Sequence, residues 1–266
     1  MTVAIIGAGV MGETLLSGLV RAGRSVDDLV VGEKRTDRAA ELVERYGVTV
    51  LSNTEAAAKA DTIALVVKPQ DMADVLSEIA PHVRAGQLVV SLAAGITTSF
   101  IESRLPEGVA VVRVMPNTPA LVDEGMAAIS RGSHCDEAHL VEAESLMAST
   151  GRVIRVPEKQ QDAVTAISGS GPAYIFFVVE AMIEAGVHLG LPRSTAAELV
   201  VQTVVGSAKL LRETGEHPVV LRERVTSPGG TTAAAIRELE DHKVRAAFLT
   251  ALEAARNRSR QLAEES

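Results

Sequence analysis

Gly7, Gly9 and Gly12 stand at the spacing, and in the place, that phosphate recognition requires. A short apolar run, Val3 to Ile6, leads straight into Gly7-Ala8-Gly9-Val10-Met11-Gly12, and a helical pattern follows from Glu13. Gly7 permits the tight turn, Gly9 leaves no Cβ between backbone and pyrophosphate, and Gly12 lets the helix lie close on its strand. The free N–H groups at the helix start face the anion. Glycines at this spacing are common, but strand, turn and helix in this order mark a dinucleotide site.

Three more loops follow strand ends, where open α/β sheets bind their ligands. Gly32-Glu33-Lys34-Arg35 lies about twenty residues beyond the glycines, where the adenosine ribose belongs. Glu33 can accept from a ribose 2′-OH, which favours NAD. Lys34 and Arg35 can clamp a 2′-phosphate, which favours NADP, so the residues leave both open. The third loop is Val67-Lys68-Pro69-Gln70, and the fourth, Ala93-Ala94-Gly95, is small enough for a flat nicotinamide to lie against backbone.

Two further glycine-rich segments each precede a helical pattern: Ser168-Gly-Ser-Gly-Pro-Ala-Tyr174 and Thr226-Ser-Pro-Gly-Gly-Thr-Thr232. A helix start offers unpaired donors and the positive dipole end, and glycines ahead of it let a small carboxylate touch them. Other chemistry is poorly represented. His134, Cys135 and His139 lack a fourth partner for zinc, so no metal is expected. No serine nucleophile elbow and no Walker-type phosphate loop occurs.

The elements that must position these loops are legible in the apolar pattern. Val3–Ile6, 29–31, 62–67, 88–91 and 110–114 read as strands, with 126–130 and 151–156 extending the sheet at one edge. Helical patterns alternate with them, and the strands are continuously apolar, as in a parallel sheet covered on both faces. After about Pro157 only helices follow, over 159–167, 172–189, 193–214, 219–225, 231–240 and 243–263. The expected fold is therefore a Rossmann-type, doubly wound, mainly parallel α/β sheet over 1–157, followed by an all-helical domain over 158–266.

That second domain looks unfinished on its own. Ile175 to Ile183 and Leu199 to Val205 are apolar around most of two helices, and a helix of that kind is normally buried. A second subunit is the simplest cover.

Composition narrows the partners. The 266 residues are 47% hydrophobic, which makes a folded globular chain. A net charge of −8, with four Phe, two Tyr and no Trp, argues against nucleic-acid binding. The lone Cys135 fits a reducing compartment. No basic segment precedes the first apolar run, and the apolar stretch 173–187 carries Glu180 and Glu184 and is too short for a bilayer. A cytoplasmic protein with no membrane partner is expected.

Taken together, the quoted segments, with Ser91-Leu-Ala-Ala-Gly95 and Arg113-Val-Met-Pro-Asn-Thr-Pro119, resemble those of the pyrroline-5-carboxylate reductases over essentially the whole chain. The resemblance implies reduction of 1-pyrroline-5-carboxylate to L-proline, the last step of proline biosynthesis, by NADPH or NADH. It implies a homodimer through the helical domain and, in some members, a ring of dimers. It places cofactor contacts on Gly7 to Gly12, Lys34, Asn53, Val67 to Pro69 and Ala93 to Gly95, and substrate contacts on Ser227, Gly229, Gly230, Thr231 and Thr232. Thr232 lies nearest the ring nitrogen and is the expected catalytic residue; with Lys34 and Arg35 in place, NADP is the expected cofactor. Members often carry small hydroxyl residues where Glu33 and Lys34 stand. Two rival readings are a β-hydroxyacid dehydrogenase, for which Lys159 is a poorly matched catalytic lysine, and an NAD(P)-binding regulatory protein without turnover.

Overall fold

The computed structural model describes residues 1–265. Apolar runs form eight strands: β1 (Val3–Ile6), β2 (Leu29–Gly32), β3 (Thr49–Leu51), β4 (Thr62–Leu65), β5 (Leu88–Ser91), β6 (Ala110–Met115), β7 (Gly125–Arg131) and β8 (Gly151–Arg155). They make one sheet in the order β3-β2-β1-β4-β5-β6-β7-β8. Neighbours are parallel except β6 and β7, which run antiparallel with Arg113 opposite Ser130.

Helices α1 (Val10–Arg21), α2 (Thr36–Tyr46), α3 (Asn53–Lys59), α4 (Met72–Ile79), α5 (Thr98–Glu102) and α6 (Glu137–Ala148) connect the strands. Side chains alternate along β1, so each face of the sheet has its own core. Val3 and Ile5 join Leu15, Leu16 and Leu42, while Ala4 and Ile6 join Ala57, Leu76 and Ile79 on the opposite face. Burying each of the larger aliphatic side chains contributes about 1.5–3 kcal/mol, which fixes β1 centrally and its carboxyl end in place.

Strand β3 is the element the sequence reading missed. It has three residues, partly exposed, and pairs only with β2 at the sheet edge. So short an edge strand carries too little apolar pattern to stand out.

Helices α7 (Gln161–Val164), α8 (Gly171–His188), α9 (Arg193–Thr214), α10 (Pro218–Arg224), α11 (Thr231–Asp241) and α12 (Val244–Glu265) complete the described chain. Two compact units result: Met1–Ser170 together with the residues from Ala255 on, and Gly171–Ala254. The strands stop before residue 157, yet the sheet unit continues to Ser170. Gln161, fully buried, explains part of this, because its amide donates to the Ala128 carbonyl at 3.1 Å and to Ser130 Oγ at 2.8 Å on β7.

In the second unit the apolar residues are largely uncovered. Phe176 and Phe177 on α8 are 67% and 71% exposed, and Leu199, Val201 and Val205 on α9 are half-exposed, whereas Val200 is buried. Helix α8 lies within one residue of the expected 172–189, but the expectation that this apolar stretch is too short for a bilayer needs correction. A short helix and a π-helical turn precede it, so the helical run Glu158–His188 has 31 residues, and an 18-residue window within it has a mean hydropathy of 1.4, which makes the run long and apolar enough to cross a membrane by length and composition. Glu184 within it pairs with Arg193 at 2.6 Å.

Candidate active site

Gly7 ends β1 in a conformation that favours glycine, with φ at +96°, and its N–H donates to the Gly32 carbonyl at 3.2 Å. A Cβ on Gly7 would sit 2.8 Å from the Val66 carbonyl oxygen beyond β4, and one on Gly12 would collide with the Gly7 carbonyl oxygen. The chain's own packing thus accounts for two of the three glycines. Gly9 differs: a Cβ there would meet no protein atom within 4 Å. Gly9 is also the N-cap of α1 and no side chain caps that helix, while the neighbouring Val10 is 70% exposed. Open space over a bare helix start suits a diphosphate, so these residues fit a dinucleotide.

β1 and β4 are neighbours, and the chain leaves them toward opposite edges of the sheet, which makes a crevice at their carboxyl ends. A cavity of about 340 Å³ opens there, lined by Gly7, Gly32, Glu33, Lys34, Asn53 and Val67, with the carboxylates of Asp71 and Asp74 alongside. Asn53 is buried at the start of α3, which Ser52 and Glu55 cap reciprocally. Lys34 Nζ lies 2.9 Å from Glu78 Oε2 on α4, and the same oxygen accepts from Asn53 Nδ2 at 3.0 Å. The Lys34 ammonium, ahead of burial and Asn53, sets the Glu78 carboxyl, which lies below its ordinary range.

The remaining expected cofactor residues lie outside this cavity. Arg35 is largely exposed, with Nε 4.0 Å from Glu33 Oε1, and its amide donates to that oxygen at 2.9 Å. Lys68 is exposed ahead of a 3₁₀ turn over Pro69–Asp71. Ala93 is buried beyond β5, and Gly95, at φ +79°, approaches the Ala263 backbone near the end of α12.

Three residues near the glycine turn and its cavity escaped the sequence reading. Arg38 on α2 donates from Nε to the Ala8 carbonyl at 3.1 Å and forms ion pairs with Glu13 and Glu41. Glu13, in the first turn of α1, also accepts from Tyr46 Oη at 2.8 Å and Arg45 at 2.6 Å. Burial alone would raise the Glu13 carboxyl, but the bonds from Arg38, Tyr46 and Arg45 outweigh it and hold the group below its usual range. The third is Glu78. Apart from the i,i+3 pair Arg38–Glu41, these partners are distant in sequence, so no local spacing signals them.

In the second unit, Ser227 to Gly230 form a turn closed by Gly230 N–H to the Ser227 carbonyl at 3.0 Å. Gly229 has φ +69° with open space where a Cβ would be. Gly230 is the N-cap of α11 and no side chain caps the helix, which begins with exposed Thr231 and half-buried Thr232. Free backbone donors beside two hydroxyls suit a small carboxylate.

The other glycine-rich segment is not a helix start. Thr165–Gly169 is itself π-helical, Ser170 N–H closes onto the Thr165 carbonyl at 2.8 Å, and Asn117 Nδ2 donates to the Ser168 carbonyl at 3.2 Å. A Cβ on Gly169 would meet the terminal methyl of the flexible Met115 side chain. Of the weak zinc candidates, Cys135 is buried against the Val111 carbonyl and His139 caps α6 with Asp136. Among the described residues no group of three or more His, Cys, Asp or Glu side chains could hold a metal.

Comparison with known proteins identifies the family to which the chain belongs. Residues 158–262 match the family model for pyrroline-5-carboxylate reductase dimerisation, and residues 2–95 match that of the "NADP oxidoreductase coenzyme F420-dependent" family. A pyrroline-5-carboxylate reductase of Corynebacterium melassecola is 46% identical, covering 98% of each chain. The structure of a pyrroline-5-carboxylate reductase from Coxiella burnetii superposes with a TM-score of 0.94 at 39% identity over 98% of each chain. That of Plasmodium falciparum pyrroline carboxylate reductase with NADP bound gives a TM-score of 0.87 at 30% identity, covering 99% of this chain and 98% of the other. With relatives this similar along its whole length, and a family model covering its helical part, the chain belongs to the pyrroline-5-carboxylate reductase family.

Proposed function

We propose that the chain reduces the C=N bond of 1-pyrroline-5-carboxylate to give L-proline, with NADPH as the favoured reductant and NADH as the alternative. The observation that carries this is whole-length similarity to reductases of that name, with an open, uncapped helix start at each half-site. When bound, the nicotinamide supplies a hydride, which forms the new C–H bond at the imine carbon. The ring nitrogen keeps a proton and the π bond's electron pair, and a cyclic imine that arrives protonated needs no strongly perturbed acid. Gly7 to Gly12 would hold the diphosphate, Lys34, Arg35 and Asn53 the adenosine end, and Ala93 to Gly95 the nicotinamide end, with Val67 to Pro69 a further cofactor contact. Ser227, Gly229, Gly230 and Thr231 receive the substrate carboxylate on the free donors of α11, and Thr232 donates toward the ring nitrogen region. Positioning and electrostatics then supply most of the acceleration.

Residues 158–266 form the dimerisation domain in this reading. The exposed apolar faces of α8 and α9 support it, since a partner's matching face would cover them, and they explain the apolar length of the run Glu158–His188 without a bilayer. Rings of dimers and a cytosolic location accord with this reading. Following NAD(P)H oxidation with pyrroline-5-carboxylate, and NAD(P)⁺ reduction with a 3-hydroxyacid, tests it. Turnover only of the hydroxyacid would establish the β-hydroxyacid dehydrogenase alternative, and cofactor binding without either turnover the regulatory one.

A further inference from the structure

The ammonium of Lys34 already has a partner. It lies 2.9 Å from Glu78, whose same oxygen accepts from buried Asn53, so one carboxylate from α4 joins two residues of the adenosine cavity. Arg35, the other cation of the loop, turns toward Glu33. Asp71 and Asp74 line the cavity as well, and it holds no lining cation besides Lys34 among the described residues. A 2′-phosphate entering here meets a cation already neutralised and carboxylates on several sides. A ribose 2′-hydroxyl disturbs none of this: the Lys34–Glu78 pair stays closed and Asn53 stays oriented.

We infer that Glu78 is a specificity-determining residue of the adenosine subsite, competing with the 2′-phosphate of an NADP-type nucleotide for Lys34 and so narrowing the preference between phosphorylated and unphosphorylated cofactors. The inference rests on the dinucleotide reading of the β1 turn. Its physical basis is a difference of affinities: only the phosphorylated ligand must separate the pair and then lie near the released carboxylate. Lys34 and Glu78 are both partly exposed, with side-chain exposures of 68% and 30%, so substitutions at either leave the core intact.

Calorimetric titration with 2′,5′-ADP and with 5′-ADP reads the effect without nicotinamide, substrate or turnover. Glu78→Gln keeps an oxygen for Asn53 and removes the charge. The expected result is about tenfold tighter binding of 2′,5′-ADP, with 5′-ADP changed by less than about twofold. Adding Lys34→Met to Glu78→Gln should abolish the gain, because Lys34 carries it. Equal tightening of both nucleotides, no tightening, or a gain that survives loss of Lys34 each overturns the role of Glu78. Failure of the unaltered protein to bind either nucleotide has a different signature and overturns the dinucleotide reading itself.

Discussion

Arg38 Nε donates to the Ala8 carbonyl at 3.1 Å, so a side chain from α2 holds the turn between β1 and α1. The peptide it fixes leads into Gly9, where the diphosphate is proposed to lie. Glu13 and Glu41 balance the guanidinium charge and restrict its rotation. A nearly buried cation satisfied on three sides makes a rigid brace, and its partners tie the first two βα units together.

Replacing Arg38 with Met keeps much of its packing and deletes the brace. Hydrogen bonds to charged groups are worth about 1.5–3 kcal/mol, so NADPH affinity should fall about tenfold and the melting temperature by several degrees. Calorimetric titration and thermal unfolding measure both. Unchanged NADPH affinity would leave Arg38 a purely structural role.

Acid should loosen the same cluster. Glu13 has a folded-state carboxyl below its ordinary value of 4.5, so its contribution is fully present above that value and is lost as pH falls through the lowered one. Glu13→Gln should therefore lower the melting temperature at neutral pH, and the gap from the unaltered protein should close below about pH 4.5. A gap constant down to about pH 3 would contradict this linkage.

Cofactor choice should depend on the loop after β2. Changing Lys34 and Arg35 together to Ala should raise the Michaelis constant for NADPH about tenfold, the scale of one charge-assisted contact, while NADH changes little. Steady-state kinetics with each cofactor decide it. Equal effects would return the role to Glu33.

Dimerisation should be obligatory for the second unit. Val201 is half-exposed in the single chain on a largely apolar face of α9, where burying a carboxylate without a partner is strongly unfavourable. Val201→Glu should give aggregated or unfolded protein. A soluble, active monomer by light scattering would defeat the claim.

Thr232 should serve the substrate and leave cofactor binding alone. Thr232→Val keeps the shape and removes the hydroxyl at the start of α11. Loss of one hydrogen bond to a developing charge predicts a drop of roughly ten- to a hundredfold in kcat/KM for pyrroline-5-carboxylate. NADPH affinity by fluorescence titration should be unchanged. Full efficiency in the variant would remove Thr232 from the reaction, and weakened NADPH binding would place it on the cofactor side.

The sequence by itself determined the sheet, its two covered faces and the glycine turn. Those depend on local order: Val3 to Ile6 is continuously apolar, and the glycines follow within one turn, so the backbone has few alternatives. It also determined that α8 and α9 need cover, because apolar residues around a whole helix can be counted without knowing where the helix lies. Tertiary structure alone decided which charges meet. Arg38 reaches Ala8 across 30 residues, and Glu78 joins Asn53 across 25 and also pairs with Lys34. It also made Thr165 to Gly169 a π turn, with Asn117 held to the Ser168 carbonyl. Periodicity reports which face of an element is buried, whereas an ion pair depends on where two separate elements come to rest, and that is set by the packing of the whole sheet.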